Sequence, residues 1–491
     1  MKKYLLFALA AAVMFAAACS EPLDEAAEVE VPQDDIGEEQ IPQYTFTPEE
    51  LGYLTELANG TPKISVDSAA KVAMMVMGNG KSLSKRSLSV TAFGTPKSTS
   101  LTKSFTDSDI DTTFYVFNAP GDNGFAVISA DARIPQQVLA FSETGNLELD
   151  SDNPAFDVFL DYVQNYAADC IAKAQEQRDS IINSIYEKFG ITVDLDSANS
   201  LSKKKRVIQR FLLTCQCYTN TNITTISEVK PLTMTNWHQH QPYNGLVGSS
   251  KDCLDGYAAG CVSIATAQFM VYWRYPQTIN GIKYNWELLG NDRNILNDEY
   301  KEQAASLVSF IGKSIGTDYG CSSSSAETID AVKLLTKIGY YGTPKLSDYK
   351  YEKVTNCLDK GWPVIMRGNR TKKKFIVTWY KNGHAWLADG YVHHRIATST
   401  SLTYVVVEVD DETGRGSCRF ERQSGGGSVT EPQYLHLNWG WGESSNGYFS
   451  KDVFYAKERY ELGSDGKYVR NETDKDKNYQ YNLEIAENLH R

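Results

Sequence analysis

Cys261 stands in a sequence context that predicts a reactive thiol. It follows Gly260, and from Cys261 onward apolar residues recur at helical spacing until Pro276 ends the run. At the first residue of a helix, unpaired backbone N–H groups and the positive end of the helix dipole favour thiolate over thiol, which lowers the pKa. The missing side chain of Gly260 lets a substrate carbonyl come close to the sulfur. A single cysteine is more often a core residue, so this interpretation needs partners elsewhere.

Three further side chains supply what a thiol hydrolase needs besides its nucleophile. Such an enzyme requires a base, a group that orients the base, and donors for the oxyanion. Gln239 precedes Cys261, whereas His384 and Asn438 follow it by 123 and 177 residues. Papain-type enzymes place their histidine and asparagine roughly 130–150 residues beyond the cysteine. The order Gln, Cys, His, Asn is therefore typical of that chemistry.

The long distance to Asn438 predicts an insertion before it. Residues 410–431 contain three consecutive glycines, Gly425 to Gly427, and we expect them to form a mobile surface loop. Asn438 itself ends a predicted strand, and a glycine-rich turn follows at residues 439–442. His384 lies near the start of another predicted strand.

The elements that must position these residues fall into two segments, because the chain is too long for one ordinary domain. The first segment, residues 44–200, contains a predicted hairpin of strands 113–118 and 125–129 and a helix that begins at Pro154. The hairpin and the helix predict a small α+β unit. This segment carries no convincing catalytic cluster. The second segment, residues 211–491, holds all the candidate catalytic residues.

The N-terminus predicts export. Two lysines precede an apolar run that is too short to span a membrane, and small residues lead from it to Cys19. This end resembles a bacterial lipobox, so residues 1–19 are predicted to be a lipoprotein signal peptide with lipid attached to Cys19. The alternative is plain secretion with cleavage near the alanines. The expected location is extracytoplasmic, as an outer-membrane or cell-surface lipoprotein or a form released after processing.

Charge distinguishes the next two segments. Residues 20–43 carry many acidic side chains and no basic ones, which predicts an acidic disordered tether. This tether accounts for most of the net charge of −12, so the remaining chain is near balance and gives no indication of nucleic acid as a partner. Residues 201–210 form a basic stretch, either a solvated linker or, if the second segment is a protease, an activation cleavage site.

In this order, the motifs resemble those of streptopain-type cysteine peptidases, which are bacterial secreted enzymes with a papain-like fold. The resembling stretches of the second segment are residues 237–244, 260–262, 383–385, 389–390 and 438–442. In the first segment, residues 114–118 and 124–129 resemble the inhibitory propeptide of the family. The first segment is therefore identified as an inhibitory prodomain.

The resemblance implies an α+β fold with a papain-like, two-lobed catalytic domain after the small α+β prodomain. A helical part would carry Cys261 as the nucleophile, and an antiparallel sheet would carry His384 as its proton partner. Gln239 would donate to the oxyanion together with the backbone N–H of Cys261. Asn438 or Trp439 would orient and shield the imidazole, and we favour Asn438 because its amide can accept or donate a hydrogen bond.

These roles imply a secreted, lipid-anchored cysteine endopeptidase made as a zymogen. It would hydrolyse protein or peptide substrates through a thiolate–imidazolium pair and an acyl-enzyme thioester, with its own prodomain as intramolecular inhibitor. No metal or organic cofactor is needed. His238 and His240 are not interpreted as metal ligands, because no third ligand is spaced to join them. The resemblance, through the position of Gln239, implies that they lie at the rim of the cleft.

Two other functions remain open at this point. One is a non-catalytic surface lipoprotein that binds through the same fold, but the complete set of Gln239, Cys261, His384 and Asn438 argues against it. The other is a transglutaminase-like or amidase-type acyl transferase. The position of the glutamine before the cysteine and the turn at residues 439–442 favour a peptidase.

The cysteine count bears on disulfides, which an extracytoplasmic location permits. Of the nine cysteines, seven remain after Cys19 and Cys261 are set aside. Because seven is odd, at least one of them is expected to stay unpaired, and the sequence leaves the connectivity open.

Overall fold

The computed structural model of the chain describes residues 45–59, 61–78, 87–96, 110–148, 154–188, 218–374, 378–409, 416–423, 427–443, 445–455, 460–462, 468–470 and 483–491. The predicted signal peptide, tether and basic linker lie outside these residues, so they stay predictions. Within the described ranges, no helix combines the length and the apolar character needed to cross a membrane.

Helices occur in both segments. They are α1 (Pro48–Asn59), α2 (Val66–Met77), α3 (Pro154–Lys188), α4 (Cys261–Trp273), α5 (Trp286–Leu289), α6 (Asp298–Ser314), α7 (Thr328–Lys337) and α8 (Tyr351–Leu358). Side-chain caps fix where some of them begin: Ser65 accepts from the N–H of Ser68, and Asn297 accepts from the N–H groups of Glu299 and Tyr300.

Strands link the two segments. They are β1 (Ser89–Pro96), β2 (Ile110–Asn118), β3 (Phe125–Ser129), β4 (Val138–Ser142), β5 (Tyr218–Val229), β6 (Thr278–Ile279), β7 (Ile282–Lys283), β8 (Ser347–Asp348), β9 (Val364–Lys374), β10 (Thr378–Val409), β11 (Gly416–Gln423), β12 (Gly427–Thr430), β13 (Gln433–Asn438), β14 (Gly447–Ser450), β15 (Tyr460–Leu462), β16 (Tyr468–Arg470) and β17 (Glu484–Ile485). One antiparallel sheet has the order β1-β2-β3-β4-β14-β13-β10-β9-β17-β8, and β5, β11 and β12 also pair with β10.

The N-terminal segment joins this sheet through β4 and β14. Phe141 lies opposite Tyr448, and Ala140 lies opposite Phe449. The predicted hairpin is confirmed, since β2 and β3 pair in register from Asn118. The helix predicted to begin at Pro154 is confirmed as α3, with proline in the first turn, where its missing N–H costs no helical hydrogen bond.

Two of the hydrophobic cores that lie against β10 support the residues around Cys261 and His384. The helical core surrounds α4 and includes Val262, Ile264, Phe269, Tyr300, Leu307, Val308, Ile311 and Leu335. The shared core combines Phe114, Phe125, Phe159 and Val163 of the N-terminal segment with Trp386, Leu435, Trp439 and Phe449 of the C-terminal segment. Within β10, Ala385 and Leu387 contribute to the helical core and Trp386 to the shared core, as the alternation of a strand requires. The predicted α+β class, with a helical part and an antiparallel sheet, is confirmed.

The interpretation of residues 410–431 as a loop is wrong for the part that the structure describes. Strand β11 pairs with the end of β10 from Val409 to Leu402, and β12 pairs with β10 between Ile396 and Ser399. The reason is that β10 continues far beyond the site, and its backbone N–H and C=O groups take antiparallel partners there. The glycine run suggested a loop, but Gly427 begins a strand.

A disulfide joins Cys253 and Cys321, as the extracytoplasmic prediction allows. Among the described residues, Cys170, Cys261 and Cys357 are free thiols. The expectation that a cysteine other than Cys261 stays unpaired is therefore confirmed.

Candidate active site

Cys261 is the first residue of α4, as predicted. The chain enters the helix through Gly260, whose φ of 86° lies in a region that residues with side chains rarely adopt. A Cβ at Gly260 would meet only ordinary contacts with Ser324 and Thr317, at 3.5 and 3.6 Å. The backbone conformation, rather than a lack of space, therefore explains the glycine. The thiol of Cys261 is half-buried.

The thiol of Cys261 forms a hydrogen bond with the buried imidazole of His384. Burial acts to raise the pKa of the thiol, but the charge and hydrogen bond of His384 and two backbone hydrogen bonds hold that pKa below its usual value. Burial acts to lower the pKa of His384, but Cys261 and the hydrogen bond that the imidazole donates to the Trp439 carbonyl raise it above its usual value. These opposite shifts favour a thiolate beside an imidazolium.

The other ring nitrogen of His384 is held by the main chain. His384 Nε2 donates to the carbonyl oxygen of Trp439 at 2.8 Å. A carbonyl oxygen only accepts, so Nε2 keeps its hydrogen whether the ring is neutral or charged, and Nδ1 is left to exchange a proton with Cys261. The indole of Trp439 is fully buried and lies with its ring centre 5.0 Å from that of Trp386.

The prediction that the Asn438 amide orients the imidazole directly is wrong. Its Nδ2 donates to the carbonyl of Thr235 at 2.6 Å and to Oε1 of Gln268 at 3.2 Å. Its Oδ1 accepts from the N–H of Gly440 at 3.1 Å. That N–H and the carbonyl of Trp439 belong to the same peptide group. Asn438 therefore holds the peptide group whose carbonyl accepts from His384. The side chain of the next residue, Trp439, is buried in the shared core.

The main chain of Gln239 is hydrogen-bonded to the residues that precede Cys261. Its side chain is only 4% exposed, and its carbonyl accepts from the N–H of Ala259 at 2.9 Å. The carbonyl of Trp237 accepts from the N–H of Gly442 at 3.1 Å, which joins the glutamine stretch to the turn after β13. The structure thus brings together the stretches that contain Gln239, Cys261, His384 and Asn438. The donation from Gln239 to an oxyanion stays a prediction.

Sequence reasoning assigned no role to Gln268 and overlooked Asn446. Gln268 accepts from the N–H of Trp237 at 3.1 Å and donates to Oδ1 of Asn438 at 3.2 Å. A signal for it existed, because it lies two helical turns after Cys261 in a helix that is otherwise almost wholly apolar. Asn446 accepts from the N–H of Trp439 at 2.9 Å. It precedes a glycine in a polar stretch typical of any turn, so its sequence gave no such signal.

Comparison with known proteins identifies both segments. Residues 237–449 match the family model described as Peptidase C10 family, and this range includes every predicted catalytic residue. The chain contains a Peptidase C10 domain. Residues 61–167 match the model described as Spi protease inhibitor, so an inhibitor-type propeptide domain precedes the Peptidase C10 domain. The predicted streptopain-type family and the prediction of a cysteine endopeptidase are confirmed.

Relatives of this chain include streptopain. Streptopain of Streptococcus pyogenes serotype M28 (strain MGAS6180) is 22% identical over 382 residues, which cover 69% of this chain and 74% of streptopain. A solved fragment of prointerpain A from Prevotella intermedia is 20% identical, with a TM-score of 0.42, and covers 76% of this chain and 94% of the fragment. Active interpain A from the same organism is 19% identical, with a TM-score of 0.31, and covers 53% of this chain and 94% of its own.

Two histidines of the Peptidase C10 domain lie next to Gln239. Burial is the main cause that lowers the pKa of His238 to about 4, so this ring is neutral at physiological pH. It packs edge-on against Tyr243, and His240 packs edge-on against Trp441. In the part of the chain that the structure describes, no group of three or more His, Cys, Asp or Glu side chains is arranged to hold a metal ion.

The inhibitor-type domain contacts the elements behind the candidate base. Phe159 packs edge-on against Phe449 at 4.6 Å between ring centres, and Phe449 packs edge-on against Trp439 at 5.2 Å. The carbonyl of Asn146 accepts from the N–H of Ser445 at 3.0 Å. The domain therefore packs against β14 and against the turn that joins Trp439 to β14.

Proposed function

We propose that this cysteine endopeptidase acts through Cys261 as nucleophile and His384 as the group that exchanges protons with it. One observation carries the proposal: Cys261 and His384 are hydrogen-bonded to each other, and their pKa values are shifted in opposite directions, toward a charged pair. The contact of His384 with the Trp439 carbonyl supports it, because this contact fixes which ring nitrogen faces the sulfur.

The reaction uses the chain's own groups. The thiolate of Cys261 attacks the carbonyl carbon of the peptide bond, and the oxygen takes up the negative charge. The N–H of Cys261 and the amide of Gln239 donate to this oxyanion. His384 then gives its Nδ1 proton to the leaving amine, and an acyl thioester remains on Cys261. His384 next removes a proton from water, whose oxygen attacks the thioester and releases the acid and the thiolate.

We propose that the protein is made as a zymogen whose N-terminal segment, about residues 44–200, restrains the candidate base. The match of residues 61–167 to an inhibitor family and the packing of Phe159 on Phe449 support this. The basic stretch at residues 201–210 is the proposed site of activating cleavage. Full-length protein is expected to be weakly active and to gain activity when the segment is removed. Equal activity of both forms would contradict the proposal.

We further propose that the protein is exported and anchored by lipid on Cys19. The short apolar run and the small residues before Cys19 support this. Mass spectrometry of the N-terminal peptide from cells should show a lipidated Cys19 as the first residue. In the Cys19→Ser variant, the protein should move from the membrane fraction to the soluble extracytoplasmic fraction. An unmodified Cys19 in the wild-type protein would overturn the anchor and leave the proposed catalysis untouched.

A single substitution tests the proposed catalysis. Cys261→Ala should abolish cleavage of casein and labelling by an epoxide-type thiol inhibitor, because Cys261 is the thiol that interacts with His384 among the residues that the structure describes. The matched control is Cys357→Ala, which removes another free thiol that is buried outside the site. The control should keep both activities. Casein cleavage by Cys261→Ala would refute the assignment of the nucleophile.

A further inference from the structure

Asn446 is the last residue of the turn between β13 and β14. Its Oδ1 accepts from the N–H of Trp439 at 2.9 Å. Its Nδ2 donates to the carbonyl of Gly442 at 2.9 Å and to Oδ1 of Asn236 at 3.1 Å. The Trp439 N–H requires an acceptor and the Gly442 carbonyl requires a donor, so these main-chain partners fix the orientation of the amide. The side chain is 6% exposed, so water does not readily replace these bonds.

The turn itself has little intrinsic stiffness. Gly440 and Gly442 have φ values of 72° and 76°, and glycine is the residue with the most backbone freedom. The amide of Asn446 bridges this turn from Trp439 to Gly442. It therefore supplies a restraint that the glycines cannot supply for themselves.

The restraint matters because the Trp439 main chain carries the acceptor for His384. Asn446 holds the N–H of Trp439, and Asn438 holds the peptide N–H that follows its carbonyl. Both peptide groups of Trp439 are thus fixed by buried amides. We propose that Asn446 is a positioning residue for the candidate base: its amide fixes the main chain of Trp439, whose carbonyl holds the imidazole of His384. This rests on the proposed function of Cys261 and His384.

A positioning role has a consequence for the pH profile that a structural role lacks. Burial opposes the charge on His384, whereas Cys261 and the Trp439 carbonyl favour it. If the carbonyl moves away, the pKa of His384 falls and the pKa of the Cys261 thiol rises. The acid and alkaline limbs of the kcat/KM profile then move toward each other, since the charged pair persists over a narrower range of pH.

The experiment compares Asn446→Ala with wild type after activation, using a peptide substrate. Asn446→Ala should lower kcat by about 10–100-fold, as expected when a reacting group is displaced by a fraction of an ångström to 1 Å. KM should change little, because the amide is buried and its hydrogen bonds go to groups of the protein. Both limbs of the pH profile should move inward. Unmoved limbs in a folded, less active variant would overturn the proposal.

Asn446→Asp provides a second test and covers the case in which the alanine variant fails to fold. The carboxylate keeps an acceptor for the Trp439 N–H and adds negative charge near the imidazole, so the alkaline limb should stay or move to higher pH. Movement of that limb to lower pH would overturn the proposal.

Asn297→Ala is the control for lost stability alone. Asn297 caps α6 and forms no hydrogen bond with the Trp439 main chain, and loss of such a cap costs about 1 kcal/mol, so this variant should leave both limbs in place. Cys261→Ala tests the proposed function separately. If Cys261→Ala is inactive and the limbs of Asn446→Ala do not move, only the positioning role fails.

Discussion

The candidate nucleophile and the candidate base are supported by different parts of the molecule. Cys261 begins α4, and the residues that follow it are buried in the helical core, to which the inhibitor-type domain contributes no residue among those described. His384 lies on β10, next to Trp386 and the Trp439 carbonyl, and both tryptophans belong to the shared core. That core also contains Phe159 of the inhibitor-type domain.

This difference indicates how a removable domain can act on catalysis. Among the described residues, the side chains packed around the helix of Cys261 all belong to the C-terminal segment, so removal of the N-terminal segment is expected to leave this packing intact. The scaffold of the imidazole is partly made by that segment, through the contact of Phe159 with Phe449. Restraint of the enzyme is therefore expected to pass through the sheet and the base rather than through the helix and the nucleophile.

The largest expected effect comes from removing the base. His384→Ala should lower kcat/KM by about 10²–10⁴-fold, the usual range for a lost general acid–base group. Burial of Cys261 remains while its charged partner is lost, so the pKa of the thiol should rise above its usual value. Alkylation by iodoacetamide, followed against pH, should show the reactive thiolate appearing at higher pH than in wild type.

The matched control for the base is His436→Ala, which removes a histidine from the neighbouring strand β13. His436 contacts Asp389 at 2.6 Å rather than Cys261, so the alkylation profile should keep its wild-type position. An unchanged profile in His384→Ala would break the comparison, because it would mean that the helix alone lowers the pKa of the thiol.

The next largest effect is on stability, and it distinguishes the shared core from the helical core. In the inactive Cys261→Ala background, Phe159→Ala should lower the free energy of unfolding of the full-length protein by about 3–5 kcal/mol, and Leu307→Ala by about 2–5 kcal/mol, because each leaves a cavity in a core. Urea unfolding measures both. With Cys261 present, the Phe159 variant should also activate faster, because a restraint on the sheet is weakened.

Processed enzyme distinguishes the two substitutions. It lacks Phe159, so enzyme from that variant should melt at the wild-type temperature, whereas enzyme from Leu307→Ala should melt at a lower one. If Phe159→Ala left the full-length protein as stable as wild type, the shared core would not connect the two domains.

The sequence predicted the parts of the site that depend on local pattern. Apolar spacing, Gly260 and Pro276 located the Cys261 helix, and the order of the motifs located His384 and the turn after Asn438. The hairpin and the start of α3 were likewise set by alternation, turn residues and proline. Each of these rests on residues close together along the chain, which is where propensity and pattern are informative.

What the sequence did not predict depends on contacts between distant residues. The amide of Asn438 was expected on the imidazole, but Thr235 and Gln268 hold it, and a main-chain carbonyl takes its place. Every residue has a main-chain carbonyl, so the type of side chain at position 439 does not indicate that its carbonyl accepts from His384. The pairing of β11 with the end of β10 was not predicted either, because it depends on contacts between strands rather than on the local sequence of either strand.

The smallest expected effect is on stability at low pH, and it distinguishes the inhibitor-type domain from the Peptidase C10 domain. Asp131 of the inhibitor-type domain is fully buried and pairs with Arg133 at 2.6 Å and with Lys63 at 2.9 Å. Burial acts to raise the pKa of Asp131, but these two cations hold it below its usual value. A carboxyl whose pKa is lowered by folding stabilises the fold above its unfolded pKa of about 3.9, and this contribution is lost as the pH falls through the folded value.

Lys63→Met should therefore cost about 1 kcal/mol or less near neutral pH, because Lys63 is partly exposed and Arg133 remains. It should also reduce the further loss of stability between pH 5 and about pH 3, since the pKa of Asp131 moves back toward its unfolded value. Urea midpoints of the full-length Cys261→Ala protein at both pH values measure this difference. Processed enzyme lacks the pair, so its acid response should not contain this component. An acid loss in Lys63→Met as large as in wild type would mean that Arg133 alone sets the acid response of the inhibitor-type domain.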